Sequence, residues 1–397
     1  MPATEPGQTA AVPHAPRVVC HVTTVHRAMD PRIFGKECAA LVEAGYEVHL
    51  VACHDRDETV AGVHVHALPH PPGRLSRMLF WPGKAYRAVR AIQPPPALCH
   101  FHDPELLRLG RRLRRGGMQV IYDVHENVAD HLRHKPYLPW PLGAVASAAY
   151  RVAERWLGRG MATVHVMESI AARYPEPKAV VRNFPRVSAE EGIRSPVSPR
   201  LPTPSSAGGR ARLVYVGGIT RDRGALTMVQ AAAALARRGA DFELRLIGPV
   251  YDPGLADEIR AAAARAGVAD RVTLLPPAPH DEAMREVAAA DIGLCLLHPA
   301  PNYTNSLSVK ILEYMEAGVA VVASDFACWR DVVAGEGAGV LVDPLDVEKI
   351  ADALAQLVAD PAARRDMGRR GRAAVVARYN WDAEKRRLLE FYERLLA

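Results

Sequence analysis

The sequence predicts an α/β protein built from two Rossmann-like domains, and three observations carry that expectation. Short β-branched runs such as RVVCHV (17–22) and RLVYV (212–216) alternate with helical stretches, as parallel strands alternate with their crossover helices. Each of these two runs opens a strand–loop–helix unit of its own. Between them, 187–210 is crowded with Pro, Ser and Gly, the composition of a linker. A length of 397 residues also suits two domains. Hydrophobic residues at 49% supply two cores, and no apolar run is long enough to span a bilayer. The six cysteines (Cys20, Cys38, Cys53, Cys99, Cys295 and Cys328) show no Cys-x-x-Cys spacing, which reads as reduced thiols of a cytoplasmic protein. A net charge of +6 is compatible with a phosphorylated substrate or with peripheral contact on the inner face of an anionic membrane. No nucleic-acid-binding module accompanies that charge, so nucleic acid is not an expected partner.

Residues 1–16 read as a disordered leader without an apolar signal core. The first domain is expected at 17–186. Strand 17–22 is followed by a loop with Asp30, Arg32, Lys36 and Glu37, then by a helix to about Ala44 and a stop at Gly45. Strand 46–53 follows. The glycine-rich turn of a dinucleotide site is missing here, which argues against NAD or FAD. Asp55-Arg56-Asp57 has the Asp-x-Asp form of some metal sites, yet it lies in a charged run without a third ligand, so a solvated loop is expected and no metal. Segments 74–90, 108–115 and 137–156 mix cations with aromatic or aliphatic residues, as ordinary domain helices or a membrane-docking surface would. Strand 97–101 delivers His102, Asp103 and Glu105 to its C-terminal end, and strand 118–124 delivers Asp123, His125 and Glu126. Open α/β sheets bind ligands at such ends. Strands 161–166 and 179–181 close the domain.

The second domain is expected at 211–378. Strand 212–216 runs into Gly217-Gly218-Ile219-Thr220-Arg221-Asp222-Arg223-Gly224, a glycine-bearing loop with cations that opens a helix and suits a phosphate. Strands follow at 242–247, 272–275 and 291–297. The stretch NYTNSLSVKILEYMEAGVAVVAS (302–324) reads as loop, helix, glycine stop at Gly318 and buried strand. Asn305 or Ser306 is the expected N-cap, with Leu307, Ile311 and Met315 facing the core. The helix start would meet a phosphate, and Glu313 would stand about 10 Å further along the axis from Ser306, where a carboxylate can hold ribose hydroxyls. A core helix with a solvated Glu fits the same residues. The final segment, 379–397, is an amphipathic helix.

SLSVKILEYMEAGVAVVAS resembles the nucleotide-sugar motif of glycosyltransferase family 4, the retaining enzymes of GT-B fold. The resemblance implies two Rossmann-like domains facing a central cleft, with the terminal helix crossing back to the first. It implies transfer of a hexose or N-acetylhexosamine from a nucleotide diphosphate sugar, with UDP the commonest base, to a glycan, lipid-linked or natural-product acceptor. Neither metal nor other cofactor is implied. The donor would be held by Gly217, Gly218, Arg223, Asn305, Ser306, Leu307, Lys310 and Glu313. Arg223 and Lys310 would stabilise the leaving diphosphate, and His125 would touch the donor sugar. Arg32, Lys36, His102, Asp103 and Glu126 would line the acceptor side. Two positions depart from the family pattern. Asn305 stands where the first of two motif glutamates is usual, and Gly218 stands where an arginine is usual. Nucleotide-sugar 2-epimerases share this fold, with Asp103 and Glu126 as the acid/base carboxylates they would need, and an inactive sugar-nucleotide-binding protein is a third reading.

Overall fold

The computed structural model describes residues 17–124, 128–133, 140–187 and 209–397. The chain divides into two compact units: unit 1 runs to Val181 and includes Lys385–Ala397, and unit 2 is Arg182–Glu384.

Unit 1 holds an eight-stranded sheet of β1 (Val18–Arg27), β2 (Glu47–Cys53), β3 (Glu58–Val60), β4 (Val63–Leu68), β5 (Leu98–Phe101), β6 (Gln119–Val124), β7 (Ala162–His165) and β8 (Lys178–Val180). Their order is β3-β4-β2-β1-β5-β6-β7-β8, and only β3 and β4 pair antiparallel. That edge hairpin was not foreseen. Its turn places Ala61 at φ 49 and Gly62 at φ 81, the two positive values a tight hairpin turn requires. Asp57 accepts a bond from the Ala67 amide at 2.7 Å, so the Asp-x-Asp run closes the hairpin, with Asp55 in solvent. The inner strands are buried along almost their whole length because both faces of the sheet are covered.

Unit 2 holds a wholly parallel six-stranded sheet of β9 (Ala211–Val216), β10 (Phe242–Ile247), β11 (Val272–Leu275), β12 (Ile292–Cys295), β13 (Ala320–Ser324) and β14 (Gly339–Val342), in the order β11-β10-β9-β12-β13-β14. Two apolar clusters fill its two faces.

The strand orders locate the sites. In unit 1 the chain leaves β1 toward β2 on one side and returns through β5 on the other. In unit 2 it leaves β9 toward β10 and returns through β12. At each reversal neighbouring loops diverge and leave room beyond the strand ends. The helix Trp381–Leu396 ends the chain, and its residues from Lys385 onward belong to unit 1, where Phe391 and Tyr392 are buried.

Candidate functional site

The unit 2 reversal point is built around glycines. Gly217 follows β9 at φ 129, and a Cβ there would stand 2.5 Å from Cε of Lys310. A Cβ on Gly218 would meet Nη1 of Arg223 at 2.7 Å and the Tyr251 ring at 2.6 Å. The turn therefore has no side chains of its own, and two cations lie across it. Arg223 donates from Nη1 to the Gly218 carbonyl at 3.3 Å and from Nε to the Tyr303 hydroxyl at 3.4 Å. The Gly218 carbonyl also accepts from the Tyr215 hydroxyl at 2.7 Å. Gly218 thus stands where the family has an arginine, and Arg223 folds back over the space it leaves. Arg221 is elsewhere, paired with Asp252 and Glu258 on the surface.

Lys310 comes from the helix Val309–Glu316, which is seated on the sheet by Tyr314. The Tyr314 hydroxyl donates to the Leu294 carbonyl at 3.2 Å and accepts from the Val216 amide at 3.2 Å, tying β12 to β9. Gly293 makes this possible, since a Cβ there would fall 2.4 Å from the Tyr314 ring. Burial pushes the Lys310 ammonium below its usual range, and Arg223 lowers it further. Lys310 is also the second residue of its helix, where the dipole repels a cation. Among the described residues no carboxylate forms an ion pair with Lys310 or Arg223. Three positive features converge on one turn.

The helix start differs from the expected one. Asn305 closes a separate short helix, Pro301–Thr304, and Ser308 occupies the N-cap position without a side-chain capping bond. The proline-started turn takes up the residues that the capping argument had assigned to the longer helix. Ser306 instead accepts at its carbonyl from Trp329 Nε1 at 2.6 Å, and Leu307 packs against the core. Glu313 is half-buried one turn past Lys310, about 6 Å along the axis from Val309 rather than 10 Å from Ser306. Asn305 is exposed beside this helix start.

The unit 1 reversal point holds a buried, hydrogen-bonded cluster. The wide turn Ile33–Cys38 carries Glu37 inward to full burial. Arg32 donates from Nε to Glu37 at 2.9 Å and from Nη2 to Asp123 at 3.0 Å, so it braces two carboxylates inside the unit. Arg32, expected on the acceptor side, is thus held within the unit by these two ion pairs. Asp123 also meets His102 Nδ1 at 3.0 Å. His102 Nε2 lies 2.9 Å from His21 Nδ1, His21 Nε2 lies 3.1 Å from the Tyr392 hydroxyl, and that hydroxyl lies 2.8 Å from His100 Nδ1. Burial holds both His21 and His100 well below the ordinary histidine value. Asp103 Oδ2 accepts from the amides of Thr24 and Val25 and from the hydroxyls of Thr23 and Thr24. Lys36 is half-buried on the same wide turn as Glu37. His125 and Glu126 lie outside the described residues.

A cleft of about 240 Å³ at this edge is lined by His26, Arg77, His102, Asp103 and Glu105 among others. His26 was not foreseen. It sits 3.6 Å from Asp30 and 3.7 Å from Asp103, and its bond to Asp30 raises it from the usual histidine value. The continuation of β1 past Val22 puts it there, and the sequence run HVTTVHR disguises that length as loop. His21 and His100 were missed for a related reason, because single polar residues inside buried strands do not disturb an apolar pattern. The pair His100-x-His102 at strand spacing was the available signal.

Two parallel-sheet units of this kind, one carrying a cation-flanked glycine turn, define the GT-B fold of the nucleotide-sugar glycosyltransferases. Solved structures share the fold across almost the whole chain. Sucrose-phosphate synthase from Thermosynechococcus elongatus superposes with a TM-score of 0.72 over 96% of this chain and 99% of that one, at 19% identity. Anabaena HepE, in complex with UDP and glucose, does so with a TM-score of 0.70 over 95% and 100%, at 14% identity. Residues 202–374 match the family model of glycosyl transferases group 1, and residues 32–183 match that of the glycosyl transferase 4-like domain. The chain belongs to glycosyltransferase family 4. A curated relative, the D-inositol 3-phosphate glycosyltransferase of Segniliparus rotundus, is 32% identical over 185 residues, 46% of this chain and 40% of the relative. The matched stretch spans less than half of that relative's length.

Proposed function

We propose that the protein transfers a sugar from a UDP-sugar to a hydroxyl of a glycan or lipid-linked acceptor, with retention of the anomeric configuration. One observation carries the reading: Arg223 and Lys310 converge on the Gly217–Gly218 turn, and among the described residues no carboxylate forms an ion pair with either. A diphosphate supplies the missing charge. As the bond from the anomeric carbon to the diphosphate breaks, the acceptor oxygen bonds to that carbon and gives its proton to the departing diphosphate, on which negative charge grows. The two cations and the start of Val309–Glu316 meet it there. Glu313, one turn on, holds the ribose. With these groups in place no metal is needed for the leaving group. HepE, which binds UDP in the same fold, supports the choice of base.

Against the epimerase reading stand the four hydrogen bonds that commit one oxygen of Asp103 to the backbone and threonines of β1. A lipid-linked acceptor is favoured by exposed apolar residues on cation-bearing helices. Leu79 and Phe80 are 68% and 63% exposed on Arg74–Ala91, and Trp156 is 61% exposed on Trp140–Leu157. None of the described helices is long and apolar enough to cross a membrane.

Calorimetric titration of UDP, GDP and TDP into the wild type and Glu313→Ala, with and without a chelator, tests the donor site. UDP should bind tightest and ignore the chelator, and its affinity should fall about tenfold in the variant. Binding that survives Glu313→Ala unchanged removes the ribose assignment. Nucleotide binding without turnover of any donor sugar would select the inactive reading.

A further inference from the structure

The buried cluster at the unit 1 reversal point has a feature that its hydrogen bonds leave unexplained. Glu37 Oε2 is buried without a hydrogen-bond partner, although Glu37 Oε1 is held by Arg32. That orphan oxygen faces three imidazoles almost equally: 4.0 Å from His21 Nδ1, 4.0 Å from His100 Nδ1 and 3.9 Å from His102 Nε2. All four residues are at most 1% exposed, and one ligand atom from each lies within 4.8 Å of every other. His21 and His100 are cross-strand partners of β1 and β5, so the sheet register itself sets part of the cluster.

We propose that His21, Glu37, His100 and His102 form a structural binding site for a divalent transition-metal ion of the zinc class. A tetrahedral zinc site has ligand atoms about 3.3 Å apart, given bonds of roughly 2.0–2.1 Å. The observed separations bracket that value, from 2.9 Å between His21 and His102, through the 3.9–4.0 Å of the carboxylate contacts, to an upper bound of 4.8 Å. Three imidazoles and one carboxylate select zinc, cobalt, nickel or copper over magnesium or calcium. Four protein ligands leave no open position, so the ion would staple β1, β5 and the turn Ile33–Cys38 and take no part in transfer.

Supporting partners are already in place. With the ion bound, His102 keeps its Nδ1 proton on Asp123, the carboxylate–histidine arrangement that orients metal ligands. His21 carries its proton on Nε2 and donates it to the Tyr392 hydroxyl, while His100 Nδ1 exchanges that hydroxyl for the ion. Burial already keeps His21 and His100 in the neutral form that ligates. Burial also raises the Glu37 carboxyl from its usual range, a penalty that a dication would remove.

Because the cluster is closed, the ion would enter as the chain folds. The full chain should therefore be expressed in zinc- or cobalt-supplemented medium, desalted, and analysed by elemental mass spectrometry and visible absorption. About one ion per chain is expected, with the ligand-field bands of tetrahedral cobalt. Unfolding and refolding in a chelator should lower the unfolding temperature by about 4 °C or more, and zinc added during refolding should restore it. Glu37→Gln and His100→Asn should each lose the ion, while His70→Ala, at an exposed histidine, should keep it. The wild-type spectrum decides the matter even if the cluster variants do not fold. Metal well below stoichiometry, without cobalt bands and without a zinc-dependent shift, would overturn the site.

Discussion

The two units place similar chemistry at equivalent points and treat it in opposite ways. At the reversal point of unit 1, Arg32, Asp123, His102, His21, Tyr392 and His100 are linked to one another by hydrogen bonds, and all but the half-buried Arg32 are buried. At the reversal point of unit 2, Arg223 bonds a carbonyl and a phenol and Lys310 lies over an aromatic face, and among the described residues no carboxylate forms an ion pair with either. A paired charge holds a fold together, whereas an unpaired one half-buried on a helix start destabilises the resting protein. Charge left unanswered is therefore the better guide to where a ligand binds, and charge fully answered marks what positions the frame.

The largest expected effect breaks the first half of this contrast. Asp123→Asn removes the carboxylate shared by Arg32 and His102, and breaking a buried pair should cost about 3–5 kcal/mol in urea unfolding. UDP affinity should stay unchanged, because the nucleotide is assigned to unit 2. A loss of UDP binding in the folded variant would contradict that assignment.

Lys310→Met sharpens the second half. Transfer should fall about 10²–10³-fold, as expected when one donor to a developing oxyanion is removed. Stability should hold or rise by up to about 1 kcal/mol, since a cation leaves a helix start. Coincident loss of activity and stability would mean that Lys310 is a structural residue.

Acid should separate the units as well. Among the described residues the buried histidines all lie in unit 1. Burial depresses His165 to about 4, below its unfolded value near 6.5. The unfolded chain then binds the proton first, so this contribution is complete above pH 6.5 and is lost as pH falls toward 4. The slope is up to about 1.4 kcal/mol per pH unit. Scanning calorimetry across this range should show one transition shifting more than the other, and the steadier one should be the transition that UDP stabilises. Equal shifts would remove the distinction.

The smallest effect is a control. Arg221 sits two residues from Arg223, yet it is paired with Asp252 and Glu258 at the surface. Arg221→Ala should change UDP affinity less than twofold and stability by less than about 1 kcal/mol.

The sequence made the second unit more legible than the first. Strands at 242–247 and 272–275 are recovered to the residue, because their β-branched and aliphatic residues stop at Gly248-Pro249 and at Pro276. Arg223 and Lys310 were legible because cations beside glycines and helix starts follow local rules. The cap assigned to Asn305 or Ser306 was misplaced because Pro301 starts a turn of its own, and a capping signal does not say which of two successive helices it serves. The cluster of unit 1 was largely unreadable. It is assembled from positions 21, 37, 100, 102, 123 and 392, and only the topology brings them together.

The burial of Tyr392 beside His21, across 371 positions of sequence, bears on how the chain is made. Emerging from the ribosome, unit 2 has all of its residues before unit 1 does, although unit 1 starts first. Until Lys385–Ala397 has been synthesised, His21 and His100 lack the hydroxyl they share, and the first unit must wait on the ribosome with all its strands made but its last helix missing. A stop codon shortly before Tyr392 would thus damage the start of the protein rather than its end.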